Sequence, residues 1–300
     1  MSPVAATARK VVRRALPRPR GVRGAVVVTG ASSGIGEATA LHLASLGYRV
    51  LAGVRSTEDF ERLRKAAPGI EPIMLDVTDD NQINSLVELI DRTEPGGLHG
   101  LVNNAGVGVM SPIEALQREQ WQWVLGVNVI GMATLTTALL PSLIRGRGRV
   151  IGIGSGAGRM AFPLFAPYAT SKFALEAFTD TLRREVGPHG VKVVNVQPGI
   201  IATPMYDKGL PEAYALRDRL DPTVAERYRR LLDSALGSAE EATTTGRPPI
   251  EVAEAVARAL ADRWPKTRYV VGWDARTAVI CARILPDRVA DMIISRLTRD

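Results

Sequence analysis

Two hydrophobic periods take turns along this chain from about residue 25 onward. Short apolar runs over residues 25–29, 48–54, 72–77, 100–103, 149–153, 192–197 and 268–271 predict strands, the first of them β-branched. Between them apolar positions recur at helical spacing. Ile35, Ala38, Leu41, Leu43 and Leu46 mark a helix over 34–46, with Gly47 as its stop. Further helices are predicted over 58–65, 79–91, 117–144, 168–186 and 252–263, the 117–144 helix broken near its start. Strands separated by helices imply right-handed βαβ crossovers and a parallel sheet. The expected fold class is therefore α/β: a single Rossmann-type doubly wound sheet of about seven strands, with helices on both faces.

That domain is assigned to residues 24–300, behind a tail over 1–23. Two segments break the rhythm. Residues 205–249 are polar and strandless and end in a Thr-Thr-Thr-Gly-Arg-Pro-Pro linker, which reads as a substrate-lid insertion or a mobile excursion. Residues 278–300 are apolar with a break at Pro286 and read as capping helices, or as a surface for a partner or a membrane. There is no internal repeat.

Composition agrees with a buried parallel sheet. Hydrophobic residues make up 46% of the chain and aromatics only 5%, so Val, Ala, Leu and Ile carry the core. One cysteine, Cys281, excludes an internal disulfide framework; with no clear signal peptide, the expected setting is reducing and cytoplasmic. The histidines His42, His99 and His189 are scattered, and no metal site is expected. No run reaches the ~18 uninterrupted apolar residues of a membrane-spanning helix.

The formal charge of +7 belongs to the tail. Arg9, Lys10, Arg13, Arg14, Arg18, Arg20 and Arg23 stand there with no acid among them, leaving a body near neutrality. The tail reads as a solvated leader. The sharper alternative is a weak peripheral anchor for anionic lipid, with Val4, Ala8, Val11, Val12, Ala15 and Leu16 on one helical face stopped by Pro17 and Pro19. Nucleic acid is not an expected partner, since interleaved aromatics and a recognition fold are both lacking.

The first strand runs into Thr29-Gly30-Ala31-Ser32-Ser33-Gly34-Ile35-Gly36, which opens the first helix. Glycines let such a turn approach a pyrophosphate, and the helix N-terminus offers unpaired N–H groups and partial positive charge. No Gly-Lys-Ser/Thr follows, so this is not a Walker loop. The spacing resembles the Thr-Gly-x-x-x-Gly-x-Gly of the short-chain dehydrogenase/reductase family. Five further elements fall in that family's order: Asn103-Asn104-Ala105-Gly106, Asn128, Ser155, Tyr168-x-x-x-Lys172 and Pro198-Gly199. The resemblance covers residues 25–203 firmly and the remainder loosely.

An NAD(P)-dependent oxidoreductase interconverting an alcohol and its carbonyl is what the resemblance implies. Such chemistry needs an acid for the nascent alkoxide and a base for the reverse. Alone, a Tyr-x-x-x-Lys is usually a packed tyrosine and a solvated lysine. Ser155 thirteen residues earlier, at a strand end, reverses that reading. Tyr168 and Lys172, four apart, share a helix face. A cation about 4 Å away is worth ~4 kcal/mol at an effective dielectric near 20, enough to lower the tyrosine pKa by about three units. Ser155 is placed to hydrogen-bond the substrate oxygen. By resemblance, Lys172 also holds the nicotinamide ribose, and Asn128 positions a water in a proton relay. Asn103 supports the pocket structurally. Pro198, Gly199, Ile201 and Thr203 lie beside the nicotinamide carboxamide, and Asp76-Val77 meets the adenine edge.

Cofactor choice turns on the end of the second strand, Gly53-Val54-Arg55-Ser56. No carboxylate stands there to bind a ribose 2′-hydroxyl, and Arg55 can pair with a 2′-phosphate, so NADP(H) is expected over NAD(H). Stretches 148–157, 168–178 and 268–276 resemble family members acting on steroids and retinoids. Met160, Phe162, Leu164 and Phe165, with Met205 and Tyr206, are the expected apolar substrate pocket. Two other readings stay open: a catalytically silent dinucleotide-binding regulator or scaffold, and a sugar epimerase or dehydratase relative. Family members often pair through the long helices, so a homodimer or homotetramer is expected.

Overall fold

The computed structural model describes residues 23–297; the apolar and basic positions of the tail over 1–22 lie outside the described residues. Seven strands, β1 (Arg23–Val28), β2 (Tyr48–Val54), β3 (Ile70–Met74), β4 (Gly100–Asn103), β5 (Arg149–Ile153), β6 (Lys192–Pro198) and β7 (Arg268–Val271), form one parallel sheet. Their order is β3-β2-β1-β4-β5-β6-β7. Alternate residues feed two cores. Val26, Val28, Val50 and Ala52 meet α1 (Gly34–Ser45), α2 (Thr57–Arg64) and α9 (Ile250–Ala261) on one face. Ala25, Val27, Leu51 and Leu101 meet α3 (Asp80–Thr93), α5 (Met132–Arg145) and α6 (Ala166–Val186) on the other. Burial on both faces is why the strands read as nearly continuous apolar runs. Strand order reverses at β1, between β2 and β4, and this opens a crevice at the carboxyl ends of the strands.

Three expectations need correction. β3 spans Ile70–Met74, earlier than 72–77, with Val50 facing Ile70 and Val54 facing Met74. The apolar pattern runs on through buried Leu75 and Val77. The ladder ends sooner, because the Asp76 N–H turns to Gln82 Oε1 (2.7 Å) and the Asp76 carboxylate accepts Thr78 N–H and Oγ1–H (2.9 and 2.7 Å).

The expected break in the long helix is a π-turn, Gly126–Gly131, that joins α4 (Arg118–Leu125) to α5 without interrupting the helix. The continuous helix Arg118–Arg145 is long and apolar enough to cross a membrane by length and composition. Its buried residues include Val124, Leu135, Leu139 and Leu143, the last three in the core beneath the sheet.

The polar stretch 205–249 is mostly helix: α7 (Pro204–Asp218) and α8 (Pro222–Thr245), tied by Tyr214 Oη–H to Glu240 Oε1 at 2.5 Å. Gly209, Pro211 and Gly237 hide the helical signal from the sequence. The threonine run is the last turn of α8 rather than a linker: the Thr243 hydroxyl bonds back to the carbonyl of Glu240, and those of Thr244 and Thr245 to that of Glu241. At the end of the chain α10 (Trp273–Ile284) and α11 (Asp287–Leu297) flank Leu285-Pro286, the break set by the proline.

Candidate active site

A cavity of about 410 Å³ occupies the crevice, within the range of small-ligand sites. Gly30, Ser32, Ser33, Gly34 and Ile35 from the turn after β1 form one end, and Arg55, Asp76 and Val77 its rim. Ala105 and Gly106 line it after β4. Ser155, Tyr168 and Lys172 converge on it after β5 and from α6. Pro198, Gly199, Ile201, Thr203 and Met205 complete the lining, with Thr203 reaching back to Gly34 of the glycine turn. Residues from Gly30 to Glu212 thus reach one cavity because most follow a strand's carboxyl end or face that end from a helix.

The turn after β1 is built for close approach. Gly34 has φ +57°, a left-handed conformation that side chains resist, and its α-carbon faces Thr203. At Gly36 any β-carbon would overlap the Gly30 carbonyl. Ser33 precedes α1 without a side-chain cap, so the first amides of that helix remain free to meet an anion. Thr29 lies beneath the turn: its Oγ1 accepts the N–H groups of Asn104 and Ala105, both at 2.9 Å. Asn104 Nδ2 in turn donates to the carbonyls of Thr29 and Gly30 (2.8 and 3.1 Å). Together these fit the pyrophosphate of a dinucleotide.

Asn128 sits within the π-turn and clamps the loop after β4. Its Oδ1 accepts Val107 N–H, and its Nδ2 donates to Val107 carbonyl, both at 2.8 Å, and to Ser171 Oγ at 2.9 Å. Asn103 Nδ2 donates to Thr136 Oγ1 at 2.8 Å, a structural bond under the sheet. Lys172 is buried and its Nζ donates to the Ile153 carbonyl at 2.9 Å. Burial lowers its pKa to about 8. Nζ stands 5.4 Å from the Tyr168 ring centroid.

The direction at Tyr168 differs from expectation. Its pKa is raised by burial against the cavity wall, with the Ser155 hydrogen bond acting the other way. Lys172 is occupied by the Ile153 carbonyl, and desolvation dominates the phenol. Ser155 Oγ also accepts Ala157 N–H at 3.1 Å, which orients it at the end of β5.

Arg55 reaches the rim with 66% of its side chain exposed, 3.9 Å from Asp76 Oδ2. Burial works against the Asp76 charge, but the Thr78 hydrogen bonds and Arg55 outweigh it and hold that pKa below its ordinary value.

Several expected residues do not reach the cavity wall. Thr29, Gly36, Asn103 and Asn128 lie behind it. Met160, Phe162, Leu164 and Phe165 are also off the wall: Phe162 is 39% exposed, and Leu164 turns inward at φ +68°, its carbonyl accepting Ser111 N–H. The Tyr206 side chain lies outside the described residues. In their place Val107, Gly108, Trp123 and Val127 form the wall. Trp123 and Val127 are an i, i+4 pair just before Asn128, a spacing that could have found them. Among the described residues no cluster of His, Cys, Asp and Glu is arranged for a metal.

A family model described as short chain dehydrogenase matches residues 24–212. Retinol dehydrogenase 5 of Mus musculus is 37% identical over 278 residues, spanning 90% of this chain and 87% of that protein. A short chain dehydrogenase/reductase from Burkholderia phymatum, solved in complex with NAD, superposes with a TM-score of 0.73 at 25% identity, covering 92% of this chain and 97% of that one. A short chain dehydrogenase from Burkholderia cenocepacia J2315, solved in complex with NADP, gives 0.69 at 27% identity, covering 93% and 99%.

Proposed function

The chain belongs to the short-chain dehydrogenase/reductase family of NAD(P)-dependent oxidoreductases acting on alcohols and carbonyls, and we propose that it interconverts a bulky hydrophobic alcohol and its carbonyl through Ser155, Tyr168 and Lys172. The observation that carries this reading is the convergence of those three side chains on the wall of one cavity that also contains the glycine turn. When bound, the nicotinamide supplies or accepts the hydride. Tyr168 exchanges the proton with the substrate oxygen. Ser155 steadies that oxygen and hydrogen-bonds the phenol. Lys172, protonated below about pH 8, holds the ribose side of the site and lends its charge to the tyrosine. Asn128 keeps the loop after β4 in place; its part in a proton relay to Lys172 rests on the family resemblance.

A tyrosine held above its ordinary pKa stays protonated at neutral pH, the form that can give its proton to the substrate oxygen in the reducing direction. The reverse half needs the Lys172 charge to act on the phenol. Trp123, Val107 and Met205 favour an apolar substrate, as does the likeness to a protein named retinol dehydrogenase. We assign residues 205–249 as a lid, since Met205, Gly209 and Glu212 already border the cavity. NADP(H) is the preferred cofactor, supported by Arg55 at the rim and the missing carboxylate at the end of β2.

Replacing Tyr168 by Phe should cut turnover by about 10²–10⁴-fold while cofactor affinity stays nearly constant; unchanged turnover would overturn the catalytic assignment. Fluorescence titration with NADPH and NADH tests the cofactor. Tighter NADPH binding, lost about tenfold in Arg55→Ala without change for NADH, is the expected result. A preference for NADH would remove Arg55 from the site.

A further inference from the structure

The segment 198–203 leaves β6, borders the cavity and becomes the start of α7, yet it is held by residues from far along the chain. The Ile200 N–H donates to Asp274 Oδ2 at 2.5 Å, and the Ile200 carbonyl accepts Arg247 N–H at 3.0 Å. Ala202 N–H then donates to the Arg247 carbonyl at 2.9 Å, which pairs Ile201 and Arg247 as an isolated parallel bridge. Asp274 lies in the first turn of α10, just after the Gly272 bend at φ +100°. Its carboxylate fills the space beside Gly199, where any β-carbon would overlap it. Its other oxygen, Oδ1, is shielded from solvent and takes no donor among the described residues. The carboxylate thus makes its hydrogen bond to one backbone amide, with the Arg247 guanidinium as a nearby opposite charge. That amide lies between Gly199 and Ile201, both on the cavity wall.

From this geometry we infer that Asp274 is a positioning residue. It fixes the Ile200 amide, and with it the backbone of residues 199–201 on the cavity wall, short of Thr203, which packs against Gly34 of the glycine turn. The inference rests on the cofactor reading above, in which that stretch of wall receives the nicotinamide half. The adenosine and pyrophosphate half meets the glycine turn and the Arg55–Asp76 rim, which Asp274 does not touch. Asp274 acts at residues 199–201, so its effect falls first on the nicotinamide half of the cofactor. Because it stands on α10, the C-terminal helices become part of the site's scaffold instead of a cover over it. A charge-assisted hydrogen bond of this kind is worth about tenfold or more in an equilibrium.

The test compares Asp274→Ala with Asp274→Asn, whose amide oxygen can still accept the Ile200 N–H. Hydrogen exchange of the Ile200 amide is followed in the cofactor-free protein. Calorimetry then compares the preferred reduced dinucleotide with the matching ADP-ribose fragment, which lacks the nicotinamide. In Asp274→Ala, Ile200 exchange should accelerate about tenfold or more and dinucleotide affinity should fall by a similar factor, with fragment affinity unchanged. Asp274→Asn should stay close to the parent in all three. Equal loss of both ligands, or unaltered Ile200 exchange, would overturn the assignment. If Asp274→Ala does not fold, Asp274→Ser, too short to reach Ile200, replaces it with the same expectations. Should the unsubstituted protein bind neither ligand, the cofactor reading fails, and accelerated exchange alone would then leave Asp274 as a backbone clamp with no cofactor role.

Discussion

Burying Lys172 carries a stability cost that pH can reveal. The folded pKa of about 8 lies below the ordinary 10.5, so the unfolded chain binds the proton more tightly. Below pH 8 both states are protonated and the full penalty of burying the charge is present. It is relieved as pH rises from 8 to 10.5, where the folded state has released its proton and the unfolded state still holds one. The penalty amounts to about 3 kcal/mol, reduced in a variant by ~1 kcal/mol for the lost bond to the Ile153 carbonyl. Lys172→Met should therefore be more stable than the parent in denaturant titrations at pH 7, with the gap closing toward pH 10.5. A gap independent of pH would mean that the folded and unfolded pKa values of Lys172 are equal and that its burial does not penalise the charge. Such a cost, kept at a position facing the cavity, fits the ribose-holding role proposed for Lys172. Ser155, Tyr168, Lys172 and the glycine turn were legible in the sequence because each is one residue type at a fixed offset from a strand end or along one helix. Asp274 was not: its partner is 74 residues away, and no local pattern marks an aspartate that meets a distant amide.

One carboxylate organises the helix that carries the tyrosine and lysine. Glu176 lies two turns beyond Tyr168 on α6, almost fully buried. Its Oε1 accepts Asn195 Nδ2 and Gln197 Nε2 from β6 (2.5 and 2.6 Å), and its Oε2 accepts Arg268 Nε from β7 at 2.8 Å. Arg159, just past the Ser155 turn, stands 3.6 Å from the same oxygen. Removing one member of a buried network leaves the others charged or unpaired, which usually costs 3–5 kcal/mol. Glu176→Gln should lower the unfolding free energy by about 3 kcal/mol, a loss that added salt barely changes because the group is sheltered from solvent. A change within ~0.5 kcal/mol would show that the network contributes no net stability. At this scale the sequence was legible where one periodicity ruled, as in α1 and β2. It misled where two signals overlapped: at β3 the buried Leu75 and Val77 continued the apolar pattern after hydrogen bonding had stopped, and in α7 and α8 glycine and proline masked an amphipathic helix. The π-turn around Asn128 has no composition of its own to betray it.

The whole-molecule question is what covers the outer face of α5 and α6. The doubly wound architecture followed from the alternation of strand and helix, but alternation fixes only the inner faces of helices. On the outside, Ile130 is 63% exposed and Phe173 45% exposed, on neighbouring helical segments beneath one face of the sheet. An apolar helix long enough to span a bilayer has two ways to cover such residues: lipid, or a second copy of the chain. Insertion would expose the polar bonds that tie the helix to the sheet, from Asn128 to Val107 and from Thr136 to Asn103. Breaking those contacts in hydrocarbon costs several kcal/mol for each unpaired group. Pairing with another copy leaves them intact, and the expected assembly is a homodimer, or a tetramer built from it, through this face. A stable pairing of this kind buries about 1,600 Å² in total. Ile130→Glu combined with Phe173→Glu should convert the protein to monomer in light scattering behind size exclusion, with the circular dichroism of the fold preserved. An unchanged assembly would move the contact to another surface, with α10 and α11 next in order because Ile280 and Ile284 on α10 and Met292 and Ile293 on α11 are also exposed.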